Sequence, residues 1–295
     1  MPLEAMLKYW QDEHYESEER FSKRQDRKKP KGRRSITDLY VGEDAHSSAD
    51  QFADSALQLL FERGIIKEIL GELKSGKEAT VYLADGPEGL MAAKIYSDML
   101  VRSFRNDSMY RAGRFIGDDR IQKAIDQRTL NGINAQQGLW VFHEYLQLWE
   151  LYRAGLKVPK PMVGPDASDM VDAGRVVLME FIGTRDAAAP RLSDVRLESY
   201  EAESAWQQSL EALIQLAKMG KVHGDYSTYN LLWWQGEVIV IDFPQMGDIA
   251  ENPNAMMLLE RDVVSLCKTF KKHGIHENPE GVFRELRARA LLSGF

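Results

Sequence analysis

The sequence predicts an α+β fold of two lobes, and three observations carry that prediction. Short β-like runs come early in the ordered part of the chain, long segments with one apolar helical face follow, and an acid-bearing loop set between β-like runs lies near the end. The first lobe is expected over residues 49–183 and the second over 184–295, after a polar extension at 1–48.

That extension carries RQDRKKPKGRR, Arg24 to Arg34, a basic run broken by Pro30 and Gly32. It reads as a flexible arm, with contact to RNA or a ribosomal particle as its sharper role. Order is expected from about Ala49, where Phe52, Leu57, Leu60 and Phe61 fall near helical spacing and Gly64 supplies a stop. EILGEL and ATVYLAD then flank KSGKE, and LMAAKIY follows a turn at Gly86, Pro87 and Gly89, which together make a β-meander. Residues 97–137 hold Ser, Arg and Asp with Gly113, Gly117 and Gly132 scattered among them, so a mobile, partly irregular insert is expected.

From Leu139, LWVFHEYLQLWELYRAG turns helical and stops at Gly155. VPKPMV is held extended by its prolines, and RVVLMEFIG reads as a buried strand. A helix from Tyr200 to Met219 closes at Gly220, a turn at Gln235-Gly236 separates two strands, and the tail from about Asn254 is helical.

Composition narrows the function classes. The 295 residues are 44% hydrophobic and 28% charged, enough for a sizeable core. A net charge of -7 excludes a whole-molecule electrostatic match to nucleic acid. The single cysteine, Cys267, excludes an internal disulfide and a zinc-ligand pattern, and suits a reducing cytoplasm. The acidic start is unlike a signal peptide and no run is apolar enough for a membrane helix, so a cytoplasmic protein with no membrane partner is expected.

VHGDYSTYNLLWWQGEVIVIDF is the most informative stretch. Phosphoryl transfer needs an acceptor held in line and positive charge over the phosphates. Asp225 can orient or accept the acceptor's proton, Asn230 can bind a metal through its amide oxygen, and Asp242 can supply the charged metal ligand. Each residue alone could cap a turn or end a strand. Together they repeat the spacing of the protein-kinase catalytic loop, with Asp242 where the D-F-G aspartate would stand. The fold expected is therefore protein-kinase-like.

The nucleotide end is read from KSGKEATVY and AAKIY. Gly76 lets backbone N–H groups approach an anion, and Lys74, Ser75 and Lys77 add donors, with Glu78 and Val81 beside them. The loop has neither a Walker A pattern nor three glycines, and alone would be an ordinary hairpin turn. Lys94, set in an apolar strand, needs a partner or a reason. It is read as a phosphate contact held by Glu144, with Glu150 as the runner-up, against the plain alternative of a snorkelling edge lysine. Met179, Glu180 and Ile182 of MEFIG would be an adenine-binding hinge.

In this order, SGKEATVY, AAKIY, LMEFIG, VHGDYSTYN, IDFPQ and NPNAMMLLERDV resemble the RIO family of atypical protein kinases. The resemblance covers roughly Glu62 to Lys272 and implies the RIO form of the fold, bilobal and kinase-like with a truncated C-terminal lobe. It implies ATP and Mg2+ (or Mn2+) as ligands, and serine autophosphorylation in the insert, where Ser103 and Ser108 lie. It also implies that the metal-loop aspartate, here Asp242, can accept phosphate in an ATPase-like cycle, and it suggests a role in ribosome maturation. Two departures stand out: Gly224 replaces the alanine many relatives carry, and the N-terminal segment shows no winged-helix pattern. The protein substrate is not readable. V-H-G-D-x-x-x-x-N also suits small-molecule kinases of the aminoglycoside and choline type, which usually have a longer helical C-terminal lobe. A nucleotide-timed ribosome- or RNA-binding factor is the third reading, supported by the basic arm.

Overall fold

A computed structural model describes residues 39–40, 51–76, 79–96, 119–127 and 129–291. The basic run Arg24–Arg34, Lys77 and Glu78 of the glycine loop, and Ser103 and Ser108 lie outside the described residues. The chain divides into two compact units.

The first unit opens with α1 (Ser55–Glu62). Asp54 caps it, its Oδ1 accepting from the N–H groups of Ala56 and Leu57 at 3.1 and 3.2 Å. Such a cap is worth ~1 kcal/mol. The other carboxylate oxygen pairs with Arg175, so one side chain both starts the helix and ties it to a distant segment. Strands β1 (Glu68–Ser75), β2 (Ala79–Gly86) and β3 (Gly89–Tyr96) then form a meander. β4 (Val176–Glu180) completes an antiparallel sheet of order β1-β2-β3-β4. At the β2–β3 turn a Cβ on Gly86 would lie 2.5 Å from the Ile65 carbonyl oxygen, so only glycine fits without a shift. Tyr82, Ala84, Met91, Ala93 and Ile95 are buried on one face of the sheet. Alternation puts Val81 and Lys94 on the other.

The segment expected to be irregular is helical over its described part. α2 (Asp119–Asp126) lies inside it, and α3 (Leu130–Arg153) starts at Leu130 rather than Leu139. The glycines that suggested irregularity mislead here. A Cβ on Gly132 would stand 2.1 Å from the Ala124 carbonyl oxygen, so this glycine permits a close approach between the two helices. Thr129 caps α3, its hydroxyl accepting from Gly132 N–H at 3.0 Å. α4 (Ala167–Asp172) also belongs to the first unit, as does α3 through Leu146.

The second unit takes α3 from Gln147 onward. α5 (Ser199–Lys218) begins with a reciprocal cap between Glu198 and Glu201 and is followed by Gly220 at φ +74°. Short strands β5 (Lys221–Val222) and β8 (Gly247–Asp248) pair with each other. Strands β6 (Leu231–Trp234) and β7 (Glu237–Val240) form a hairpin. Gln235 and Gly236 sit at φ 51° and 82°, the left-handed pair of a tight two-residue turn. Gln208 of α5 clamps that turn, donating to the Gly236 carbonyl and accepting from Val238 N–H, each at 2.9 Å. α6 (Ala255–Lys271) buries Leu258, Val263, Leu266 and Phe270, and α7 (Pro279–Leu291) ends the described chain. Among the described residues no helix is long and apolar enough to cross a membrane.

Candidate active site

In the first unit the sheet register sets Lys74, Val81, Lys94 and Val177 in one row across four strands. Lys94 Nζ donates to Glu144 Oε1 at 2.7 Å, with side chains 12% and 2% exposed. A buried pair of this kind is needed by both partners, since removing one strands the other's charge at a cost of ~3–5 kcal/mol. Glu144 reaches this place because α3 carries it on the stripe formed by Val141, Tyr145, Leu148 and Leu151, all buried. Tyr96, two residues beyond Lys94 and so on the same strand face, donates to the other carboxylate oxygen of Glu144. Tyr145 fastens α3 to β4, donating to the Val176 carbonyl at 3.0 Å and accepting from Leu178 N–H at 2.7 Å. Glu150, the runner-up for Lys94, pairs instead with Lys221 in the second unit at 3.2 Å.

Gly76 N–H is bonded to the Ala79 carbonyl at 2.9 Å, and the hydroxyls of Ser75 and Thr80 meet at 3.3 Å, which closes the base of the glycine loop. Met179 and Glu180 end β4, and the chain passes into the second unit between Phe181 and Ile182. Phe181 N–H is bonded to the Leu90 carbonyl at 3.2 Å, and the Ile182 carbonyl accepts from Ala189 at 2.9 Å.

In the second unit the chain leaves β5, turns at Gly224 with φ +81°, and presents Asp225. Glycine adopts that backbone freely, whereas a Cβ there is strained. A 3-10 turn, Thr228–Asn230, then brings Asn230 back to Asp225. The Asn230 amide nitrogen donates to the Asp225 carbonyl at 2.9 Å and to its carboxylate Oδ2 at 3.0 Å. Asn230 is also linked to the end of β7, because its carbonyl accepts from Ile241 N–H at 3.0 Å. The next residue, Asp242, has φ +71°, a conformation costly for a residue with a Cβ and most often kept at functional positions.

His223 is wholly buried against Tyr226 and Phe243, with ring centroids 5.5 Å from each. Burial pulls its pKa down to about 4, outweighing the nearby charge of Asp242, so the ring is neutral at pH 7. It packs within the loop, its Nδ1 accepting from Asp225 N–H at 3.3 Å.

The sequence reading gave no role to Asp262, although its segment contributed to the resemblance. This buried residue of α6 accepts from Gly224 N–H at 2.8 Å and Tyr226 N–H at 3.0 Å, gripping the backbone on both sides of Asp225. Arg261 donates to the Gly224 carbonyl, and the Tyr226 hydroxyl bonds the Ser209 carbonyl at 2.8 Å. Burial raises the Asp262 pKa to about 6 against the pull of those N–H groups and of Arg261. The signal was present in the sequence: an acid between Leu258 and Leu266 on the buried stripe of a helix.

The donor set fits a hard cation that brings other ligands with it. With its nitrogen committed to Asp225, the amide oxygen is the atom Asn230 has left for a metal, and Asp242 adds charge. Among the described residues no three acidic, histidine or cysteine side chains cluster to hold an ion alone. Few protein oxygens, completed by phosphate and water, is the arrangement magnesium favours.

The family model for the RIO domain matches residues 80–281. The chain belongs to the RIO family. The RIO-type serine/threonine-protein kinase Rio1 of Haloferax volcanii is 30% identical over 283 residues, which is 95% of this chain and 90% of that protein. Human serine/threonine-protein kinase RIO3 is 29% identical over 251 residues, 79% of this RIO chain but 45% of the human protein. Two Rio2 kinase structures from Chaetomium thermophilum share the fold. One, described as an ADP/Mg2+-phosphoaspartate complex, has a TM-score of 0.56 at 21% identity, over 81% of this chain and 70% of that one. The other has a TM-score of 0.57 at 20% identity, over 81% and 71%. The α+β, kinase-like fold expected from the sequence is thus the fold of this RIO domain.

Proposed function

We propose that this RIO domain transfers the γ-phosphoryl group of ATP, with Mg2+, to a serine or threonine hydroxyl. The observation that carries this reading is the Asn230 amide nitrogen bonded to the Asp225 carbonyl and carboxylate, which supports Asp225 as the group that would meet an acceptor and leaves the Asn230 amide oxygen as the one that would meet a metal. Lys94, fixed by Glu144, would lie on the α- and β-phosphates, with Lys74, Ser75, Gly76, Lys77, Glu78 and Val81 around the nucleotide. Met179, Glu180 and Ile182 would meet adenine. Asn230 and Asp242 would hold Mg2+, which would supply positive charge against the charge that develops on the phosphate. Asp225 would orient the acceptor hydroxyl and take its proton as the oxygen–phosphorus bond forms, while the bond from the γ-phosphorus to the bridging oxygen breaks and ADP leaves.

The Rio2 structure described as a phosphoaspartate complex favours a second reading, in which Asp242 accepts the phosphoryl group and water releases it. Purified protein given radiolabelled γ-phosphate ATP and Mg2+ separates the two. Acid-stable label lost in Asp225→Asn supports the kinase; hydroxylamine-labile label that needs Asp242 supports the ATPase cycle; no label and no released phosphate would end both. Association with ribosomal particles through Arg24–Arg34, in the cytoplasm, belongs to the same proposal. Deleting that run should abolish particle binding and spare ATP turnover; unchanged association would remove the arm from the account.

A further inference from the structure

We propose that Tyr96 is a positioning residue of the nucleotide half-site, fixing Glu144 so that Glu144 can fix Lys94. The inference rests on the reading of Lys94 as a phosphate contact. β3 points Lys94 and Tyr96 to the same face, and the two divide the Glu144 carboxylate between them. Lys94 Nζ donates to Oε1 at 2.7 Å and the Tyr96 hydroxyl donates to Oε2. The Lys94 ammonium also stands 5.0 Å from the centre of the Tyr96 ring. Tyr96 and Glu144 are 2% and 1% exposed, so water does little to set the carboxylate's orientation.

The terminal torsion of a glutamate is broad, and a lysine has four more rotatable bonds. A carboxylate held only by Lys94 would therefore turn as the ammonium moved toward a phosphate. The phenol holds it from the second oxygen. Being neutral, it does so without adding a cation that would compete with Lys94 for the negative charge. Tyr96 is itself held, its N–H donating to the Arg175 carbonyl at 3.0 Å and its Cα paired with Ala79 across the sheet.

The test is a cycle of wild type, Tyr96→Phe, Glu144→Leu and the double variant, read as Mg-ATP affinity by calorimetry and as KM and kcat. Tyr96→Phe keeps the ring over Lys94 and removes only the hydroxyl. We expect about tenfold weaker Mg-ATP binding, the scale of one hydrogen bond to a charged group, with KM rising more than kcat falls. In the Glu144→Leu background, where no acceptor is left at that position, the same change should add almost nothing. Unchanged affinity in Tyr96→Phe would overturn the inference, as would an equal loss with and without Glu144, which would mean packing alone. Urea unfolding of each variant confirms that a folded protein is compared. If Lys94→Ala bound Mg-ATP as well as wild type, the parent reading would fail instead, and Tyr96 would lose its role with it.

Discussion

Asn230 places its amide nitrogen against both the backbone carbonyl and the carboxylate of Asp225, at 2.9 and 3.0 Å. An aspartate at position 230 would turn that donor into an acceptor facing two acceptors. Asn230→Asp keeps a metal-binding oxygen yet loses both bonds, each worth ~1 kcal/mol, and adds repulsion. Turnover is expected to fall at least tenfold even at saturating Mg2+, as measured by ATP titration at several Mg2+ concentrations. A variant with normal turnover and a lower Mg2+ requirement would show that the donor role is dispensable.

The Lys94–Glu144 pair separates folding from chemistry. Lys94→Ala leaves a buried carboxylate without its 2.7 Å partner and should destabilise the protein by ~3 kcal/mol. Lys94→Met combined with Glu144→Leu and Tyr96→Phe, which also removes the hydroxyl that Glu144 accepts from, should recover much of that loss, because apolar side chains of similar size fill a buried site well. It should nevertheless remain inactive. Denaturant unfolding and turnover, measured on the same samples, would check both halves.

Asp262 holds the backbone on both sides of Asp225, the proposed catalytic residue. In Asp262→Asn one acceptor becomes an N–H group facing the Gly224 or Tyr226 N–H. The expected cost is ~2 kcal/mol of stability, with a fall in kcat and little change in KM for ATP. Faster hydrogen exchange at Gly224 and Tyr226 would be the accompanying signature. Wild-type kcat in the folded variant would show that the loop keeps its geometry without this grip.

Acid stability should be set in part by two groups with opposing signs. The folded pKa of His223, about 4, lies below the ordinary 6.5, so the unfolded chain binds the extra proton and stability falls as pH drops from 6.5 toward 4. The folded pKa of Asp262, about 6, lies above the ordinary 3.8, so the folded chain binds the extra proton and stability rises over nearly the same descent. Each effect is on the order of 3 kcal/mol at full extent, so in the wild type they largely offset. His223→Phe should then gain stability relative to wild type between pH 6 and 4, and Asp262→Ala should lose it. Urea unfolding across pH 4 to 7 reads both; curves parallel to wild type would contradict the assignment.

Much of this was legible in the sequence because it depends on local spacing. The β-meander, the Gln235-Gly236 turn and the return of Asn230 to Asp225 are fixed by residues within a few positions of one another. The start of α3 was misplaced because Gly132 looked like a breaker, when its missing side chain serves a close contact with Ala124. Asp262 was passed over because its partners lie 36 and 38 residues away, a separation that no local pattern reports. Glu144 and Asp262 share the clue that helps most: an acid on the apolar stripe of a helix has a buried donor to meet.

The most direct test is transfer of radiolabelled γ-phosphate from Mg-ATP by the wild type beside Asp225→Asn and Asp242→Asn, with folding verified for each. The account expects Mg2+-dependent transfer or release by the wild type and a loss of at least a hundredfold in both variants, the scale on which removal of a general base or a metal ligand is felt. Near-normal activity in either folded variant would contradict it.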